Sequence, residues 1–385
     1  MEKLILFALL FLLPTQLAYH FWPQFSYIHG LRVDYLSPAI YMTDILVILL
    51  IPYLKNKLTA FLPIFIFALV NIFFAELPSV AVLRWLVIFK LYILGSYFYS
   101  CDLKKLRQVI VSAFTLSLIT VSLIGLTQVI LQKTVGGPLF YLGERSFTSQ
   151  TPGISLVSIF GKSAMRAYST FSHPNSFAGF VVVSFLILLS FKKQKNLYVV
   201  VVLSLLLTLS LNALIGVLVV GAIFLIDKNF PKFIRKIKQN LPALLISSSL
   251  LFGALSGEFT KNIFLEDTYK ERIVLAGKAV EVFVKKPILG VGLNNYFYET
   301  KSVQPPHNVY LIVLSECGLV GVLILYFFLT KLLNRKLNKY LLVAIIFVLT
   351  TSLFDHYWFT LQQNGLILSV LLGLSIRNYT YKIDG

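Results

Sequence analysis

Apolar stretches of roughly membrane length, about 20 residues per helical crossing, recur from end to end of this chain. That leaves few folds open. Hydrocarbon offers no partner to a backbone N–H or C=O, so only helices and closed barrels cross a bilayer. The alternating apolar and polar positions of a membrane barrel are absent. The sequence therefore predicts an all-α fold, a polytopic membrane helix bundle of about 12 transmembrane helices, as a single integral-membrane domain over residues 1–385. The expected spans are 4–20, 36–54, 58–75, 80–99, 107–131, 171–191, 197–211, 213–226, 241–256, 308–330, 340–354 and 358–376. Leu4 to Tyr19, behind Lys3, has the look of a signal peptide. Gln16-Leu17-Ala18 lacks the small residue expected three positions before a cleavage site, so the stretch reads as the first span.

Basic residues orient such a bundle, because cytoplasmic loops retain Lys and Arg. The loops holding Lys55, Lys104, Lys193, Arg235 and Arg335, with both terminal segments, carry 20 basic and four acidic residues; the opposite loops carry 12 and 10. The first set is expected in the cytoplasm, with both termini inside. This bias accounts for most of the net charge of +18, which is then no argument for a nucleic-acid partner. Cys101 and Cys317 fall at different depths of different spans and are not expected to pair.

Two outer loops are long. Residues 132–170 are rich in Gly, Ser and Thr, and residues 257–307 carry a helical pattern. Thr268-Tyr-Lys-Glu271 fits a capping box. Tyr269, Ile273, Ala276, Val280 and Phe283 then recur at helical spacing until Pro287 and Gly290. This reads as an amphipathic helix on the outer membrane face, or as a lid packed on the bundle.

Several kinds of chemistry lack their residues. There is no Asp-x-Asp pair for a metal-bound sugar nucleotide, no P-loop, no Cys/His cluster and no Gly-x-Ser-x-Gly elbow. Neither a metal nor a cofactor is expected, and an activated substrate would arrive already in the membrane. His307 is the strongest candidate for chemistry. It follows Gln304-Pro305-Pro306 and precedes Asn308, a favoured N-cap that starts the tenth span with its N-terminus outside. Free amides and the positive helix end suit a phosphate there, and that field suits the neutral imidazole a general base needs. The blander reading is an interfacial histidine beside a capping Asn.

Other residues divide between substrate and structure. Gly318 and Gly321 share a helix face and read best as close helix packing. Arg166 and Arg272, both on the outer side, could hold a diphosphate through their guanidinium forks or pair with lipid headgroups. Arg84, Lys90 and Glu316 are intramembrane charges, as is Asp44, read as mid-way along the second span. Such charges are expected to face the interior and pair, or to line a substrate path. His173 either joins the site or caps the sixth span.

His307-Asn308, nine residues, then Gly318-Leu-Val-Gly321 resembles the signature of the bacterial O-antigen ligase/O-antigen polymerase superfamily. Arg166 with Ser169-Thr-Phe-Ser-His173-Pro-Asn175, Arg272 with Lys286-Pro-Ile-Leu-Gly290-Val-Gly292, and Asp355-His356-Tyr-Trp358 with Gln362-Gln363 fit in order, covering about 160–375. The resemblance implies a metal-independent inverting glycosyltransferase that takes a glycan from undecaprenyl diphosphate to an acceptor hydroxyl outside the cytoplasmic membrane. His307 would be the general base, and Arg166 and Arg272 would bind the donor diphosphate. The acceptor would be a lipid A core, another lipid-linked repeat unit or a protein. The Ser-Arg pair of many members is missing, since Thr208-Leu-Ser210-Leu-Asn212-Ala213 lacks the Arg. A lipid-linked-glycan flippase is the rival reading, with Arg84, Lys90 and Asp44 lining its path.

Overall fold

A computed structural model describes residues 1–55, 62–159, 161–191, 194, 196–229, 231–257 and 267–377. Each expected span overlaps a helix, the first only as far as Leu12: α1 (Glu2–Leu12), α2 (Met42–Leu50), α3 (Leu62–Phe73), α4 (Pro78–Ser100), α5 (Leu103–Leu131), α6 (Pro174–Phe191), α7 (Leu197–Thr208), α8 (Leu211–Asn229), α9 (Pro231–Ala254), and later α12 (Val309–Leu333), α13 (Lys339–Thr351) and α15 (Gln362–Ile376). Between them lie α10 (Asp267–Lys285), α11 (Tyr296–Thr300) and α14 (Tyr357–Thr360). Among the described residues, α4, α5, α6 and α12 are long and apolar enough to cross a membrane, and six further apolar helices are shorter. The protein is an all-α integral membrane bundle.

Local chemistry sets several boundaries. Pro78 sits in the first turn of α4, where its missing N–H costs nothing. The Asp102 carboxylate accepts from the N–H groups of Lys104 and Lys105 and starts α5. The second expected span starts later than its hydropathy suggested. Ala18–His20 (β1) pairs antiparallel with Ala39–Tyr41 (β4), and Tyr27–Ile28 (β2) with Leu31–Arg32 (β3). Residues 36–41 therefore belong to a folded segment ahead of the helix, and α2 begins only at Met42. Asp44 is then in its first turn, where its carboxylate accepts from Tyr41 N at 3.1 Å. Its place mid-way along a span is corrected by this.

The main core is apolar and runs through α1, α4, α5, α6, α13 and α15. α6 is buried almost all round, as a helix at the centre of a bundle should be. α10 packs through Ala276, Ala279 and Val282 on Leu311, Leu314 and Val322 of α12. This is the packing on the bundle that the lid reading expected, and a lid and a membrane-surface helix are not exclusive. The described part of the helix begins at Asp267, and the Thr268 side chain of the expected capping box lies outside the described residues.

The Gly-x-x-Gly of α12 does something other than helix packing. Gly318 has φ +61° and ψ −161°, which interrupts the helix. Residues 287–292 fill the gap. Leu319 and Val320 donate to Pro287 O and Ile288 O (2.8 and 3.1 Å), while Ser315 O and Glu316 O accept from Val291 and Gly292 (both 3.1 Å). A Cβ on Gly318 would stand 2.5 Å from the Ile288 carbonyl carbon. Asn71 of α3 closes the junction: Nδ2 donates to Leu289 O and Glu316 O (3.2 and 3.0 Å), and Oδ1 accepts from Trp85 Nε1 and Leu293 N (both 3.0 Å). Broken helices are tolerated at membrane depth only with such replacement partners.

Candidate active site

Segments between the helices converge on one cavity of ≈ 1610 Å³. Its walls carry His307, Arg272, His173, Asp355, His356, Arg84 and Lys90. Below these it continues along α2 and α4 past Val47, Ile48, Ile51, Leu83, Leu86, Val87 and Ile93. From Val80 to Ile93 that is about 20 Å of helix at 1.5 Å per residue. Ile48 and Leu86 are exposed on the bundle surface, so the lower part is an apolar groove open to the side.

His307 is placed by its neighbour. The Asn308 side chain accepts from Leu311 N at 3.1 Å and caps α12, and its Nδ2 donates to Ser249 Oγ (2.9 Å) and Leu353 O (3.1 Å). The imidazole is thereby held against the turn between α13 and α14. Its Nδ1 lies 3.7 Å from Asp355 Oδ1, and its Nε2 is 3.2 Å from Gln304 Oε1. The His356 ring stands 4.8 Å away, centroid to centroid. Asp355 is anchored from behind, with Oδ2 accepting from Asn175 Nδ2 at 2.9 Å and Oδ1 from His356 N at 2.8 Å. Burial opposes ionisation of Asp355, but the facing His307 and the fields of His356 and His173 outweigh it, holding the carboxyl well below the usual carboxylate range.

The other two histidines are neutral and structural in their bonds. His173 Nδ1 accepts from Asn175 N at 3.1 Å, at the start of α6. Burial first, with repulsion from Arg166 and Arg272, pushes it down to about 4 against the pull of Asp355. His356 Nδ1 bonds Thr360 Oγ1 at 2.7 Å, and burial lowers it to about 3.

The arginines differ. Arg272 of α10 lines the cavity. Arg166 stands behind its wall, within electrostatic reach of Arg272, donating to Thr208 O (2.6 Å), Ser155 Oγ (2.8 Å) and Asn175 Oδ1 (3.0 Å). Ser210 Oγ donates to the same Asn175 oxygen at 2.9 Å. The segment lacking the Ser-Arg pair thus still reaches the site, through Asn175. Lys90 Nζ pairs with Asp44 Oδ1 at 2.6 Å and donates to Gln362 Oε1 at 2.9 Å. Arg84 hydrogen-bonds Phe359 O and lies over the Phe359 ring, 5.0 Å from its centroid. Glu316 is spent inside the α12 junction, accepting from Asn294 N at 2.8 Å.

Residues 168–326 match the family model for O-antigen ligase. Those residues form an O-antigen ligase region, and the match supports membership of that superfamily. No curated protein and no solved structure matches it. The matched part includes His173, Arg272, His307 and Asn308, while Arg166, Asp355 and His356 lie outside it. Asp355 was read from the sequence only as part of a turn. Its 48-residue separation from His307 gives no local signal that the two side chains meet. His307, Asp355 and His356 are also close enough to share a cation.

Proposed function

We propose that this chain is a metal-independent inverting glycosyltransferase that moves a glycan from undecaprenyl diphosphate to an acceptor hydroxyl at the outer face of the cytoplasmic membrane. Membership of the O-antigen ligase superfamily implies glycosyltransferase-type activity on lipid-linked glycans. The observation that carries the finer reading is the shape of the cavity. One continuous space joins a polar end, with His307 and Arg272, to an apolar groove beside the lipid. That suits a donor whose sugar and diphosphate react while its prenyl chain stays in the membrane.

In this reading the Asp355 charge, 3.7 Å from Nδ1 of His307, favours the tautomer with Nδ1–H facing it, leaving the Nε2 lone pair for the acceptor. The Gln304 amide, whose two ends are set by hydrogen bonding alone, yields that position when the acceptor enters. The acceptor hydroxyl gives its proton to Nε2 as its oxygen attacks the anomeric carbon. The bond from that carbon to the diphosphate oxygen breaks, and the diphosphate leaves with the electron pair. Arg272 meets the developing charge, and Arg166, with two of its five N–H groups outside its protein contacts, adds positive field behind it. In-line displacement inverts the anomeric centre. The lipid A core, a second lipid-linked repeat or a protein supplies the hydroxyl.

A flippase would use a broken helix as part of a path. The α12 break is instead filled by residues 287–292, backbone against backbone. The deciding experiment is transfer in vitro from undecaprenyl-diphosphate glycan to a panel of acceptors by the purified protein. Product from wild type and at most a trace from His307→Ala is expected. Lipid movement across vesicles without covalent product would sink the transferase reading.

A further inference from the structure

Three donor atoms meet at the cavity wall with their outer bonds already made. His356 commits Nδ1 to Thr360 and keeps Nε2. Asp355 commits Oδ2 to Asn175 and turns Oδ1 toward His307. His307 Nδ1 is buried and has no hydrogen-bond partner. One ligand atom from each of the three residues lies within 4.8 Å of the other two.

The 3.7 Å between His307 Nδ1 and Asp355 Oδ1 is too long for a hydrogen bond. It is close to the roughly 3.4 Å that separates two ligands on a tetrahedral zinc with bonds near 2.0–2.1 Å. With the ring proton moved to Nε2, a cation between the Nδ1 lone pair and the carboxylate would satisfy both. Partners such as Thr360 and Asn175, bonded to the far side of each ligand, are what orient metal ligands. The cavity gives an entry path and room for water at a fourth position. Two imidazoles and one carboxylate favour zinc over magnesium or calcium.

We propose that His307, Asp355 and His356 form a three-ligand site for a zinc-like divalent cation, and that its occupation withdraws His307 from glycan transfer. The cation is a competitor of the acceptor for the imidazole, not a participant in the reaction. The effect on transfer rests on His307 being the base; the binding does not.

Full-length protein in detergent, stripped with a chelator, should take up one Zn2+ per chain when titrated against a fluorescent zinc indicator, and Mg2+ should not displace it. His356→Ala and, separately, Asp355→Asn should each weaken binding at least tenfold, while His29→Ala leaves it unchanged. Each protein is then compared with its own metal-free transfer rate. Zn2+ should inhibit wild type, excess chelator should restore it, and the inhibitory concentration should rise at least tenfold in His356→Ala. No saturable uptake, or equal weakening by His29→Ala, overturns the site. Binding without inhibition overturns the block on His307. If metal-free wild type transfers nothing, the transferase reading fails while the titration still decides the site.

Discussion

At the scale of single residues, His307 is held by a cap before it and a carboxylate beside it. The cap is a local pattern, so Asn308 and the start of α12 were legible in the sequence. The carboxylate was not, because Asp355 arrives from another turn and is fixed by Asn175 of α6. His307→Ala should lower transfer by about 10²–10⁴-fold with the protein still inserted, the usual worth of a positioned base; assay of purified variants checks this. Asp355→Asn should lower the rate at least tenfold with little change in donor KM. The two buried histidines make a pH prediction. Unfolded, His173 and His356 take up protons near 6.5; folded, they do so only near about 4 and about 3. The unfolded state therefore binds more protons between these values, and stability is complete above pH 6.5 and falls on acidification. The loss is up to about 1.4 kcal/mol per pH unit for each histidine. The thermal midpoint in detergent should drop between pH 7 and pH 5, and drop less in His173→Asn. Asp355 does not contribute in that window, since its effect is lost only below the ordinary carboxylate range.

At the scale of elements, α12 shows how one motif supports two structures. A Gly-x-x-Gly can let helices approach or let the backbone turn left-handed, and the spacing is the same for both. The 287–292 segment decides here, because its backbone occupies the break and needs φ > 0 at Gly318. Gly318→Ala should cost about 1–3 kcal/mol from backbone strain, plus the clash with Ile288. Gly221→Ala, which meets nothing within 4 Å, should leave stability within a few tenths of a kcal/mol. Thermal unfolding followed by size-exclusion fluorescence separates them. Asn71, fully bonded by four partners at the junction, drew no attention in the sequence; a single Asn in an apolar helix has no periodic signature. The apolar stripe of α10 was legible, but whether it met lipid or protein depended on α12 lying beneath it.

At the scale of the whole molecule, segments between the helices close over a groove that runs along α2 and α4. Ile48→Trp or Leu86→Trp should narrow the groove. Use of long-prenyl donors should then fall several-fold while short-prenyl analogues are spared; equal loss on both would remove the groove from donor binding. Cysteines placed at Lys301 and Lys336 should be labelled by an impermeant reagent from outside and only after permeabilisation, respectively. The sequence by itself determined the all-α membrane class, the approximate places of most helices, the basic bias of one set of loops and the His307-Asn308 start of α12. Each of these depends on the free energy of residues near in the chain, on transfer to hydrocarbon or on a local cap. Tertiary structure alone decided that Asp355 and His356 meet His307, that Lys90 pairs with Asp44, that Arg166 stands behind the cavity wall and that Gly318 breaks its helix. Those outcomes turn on contacts between residues far apart in sequence, where burial leaves each polar group only the partner that packing brings to it.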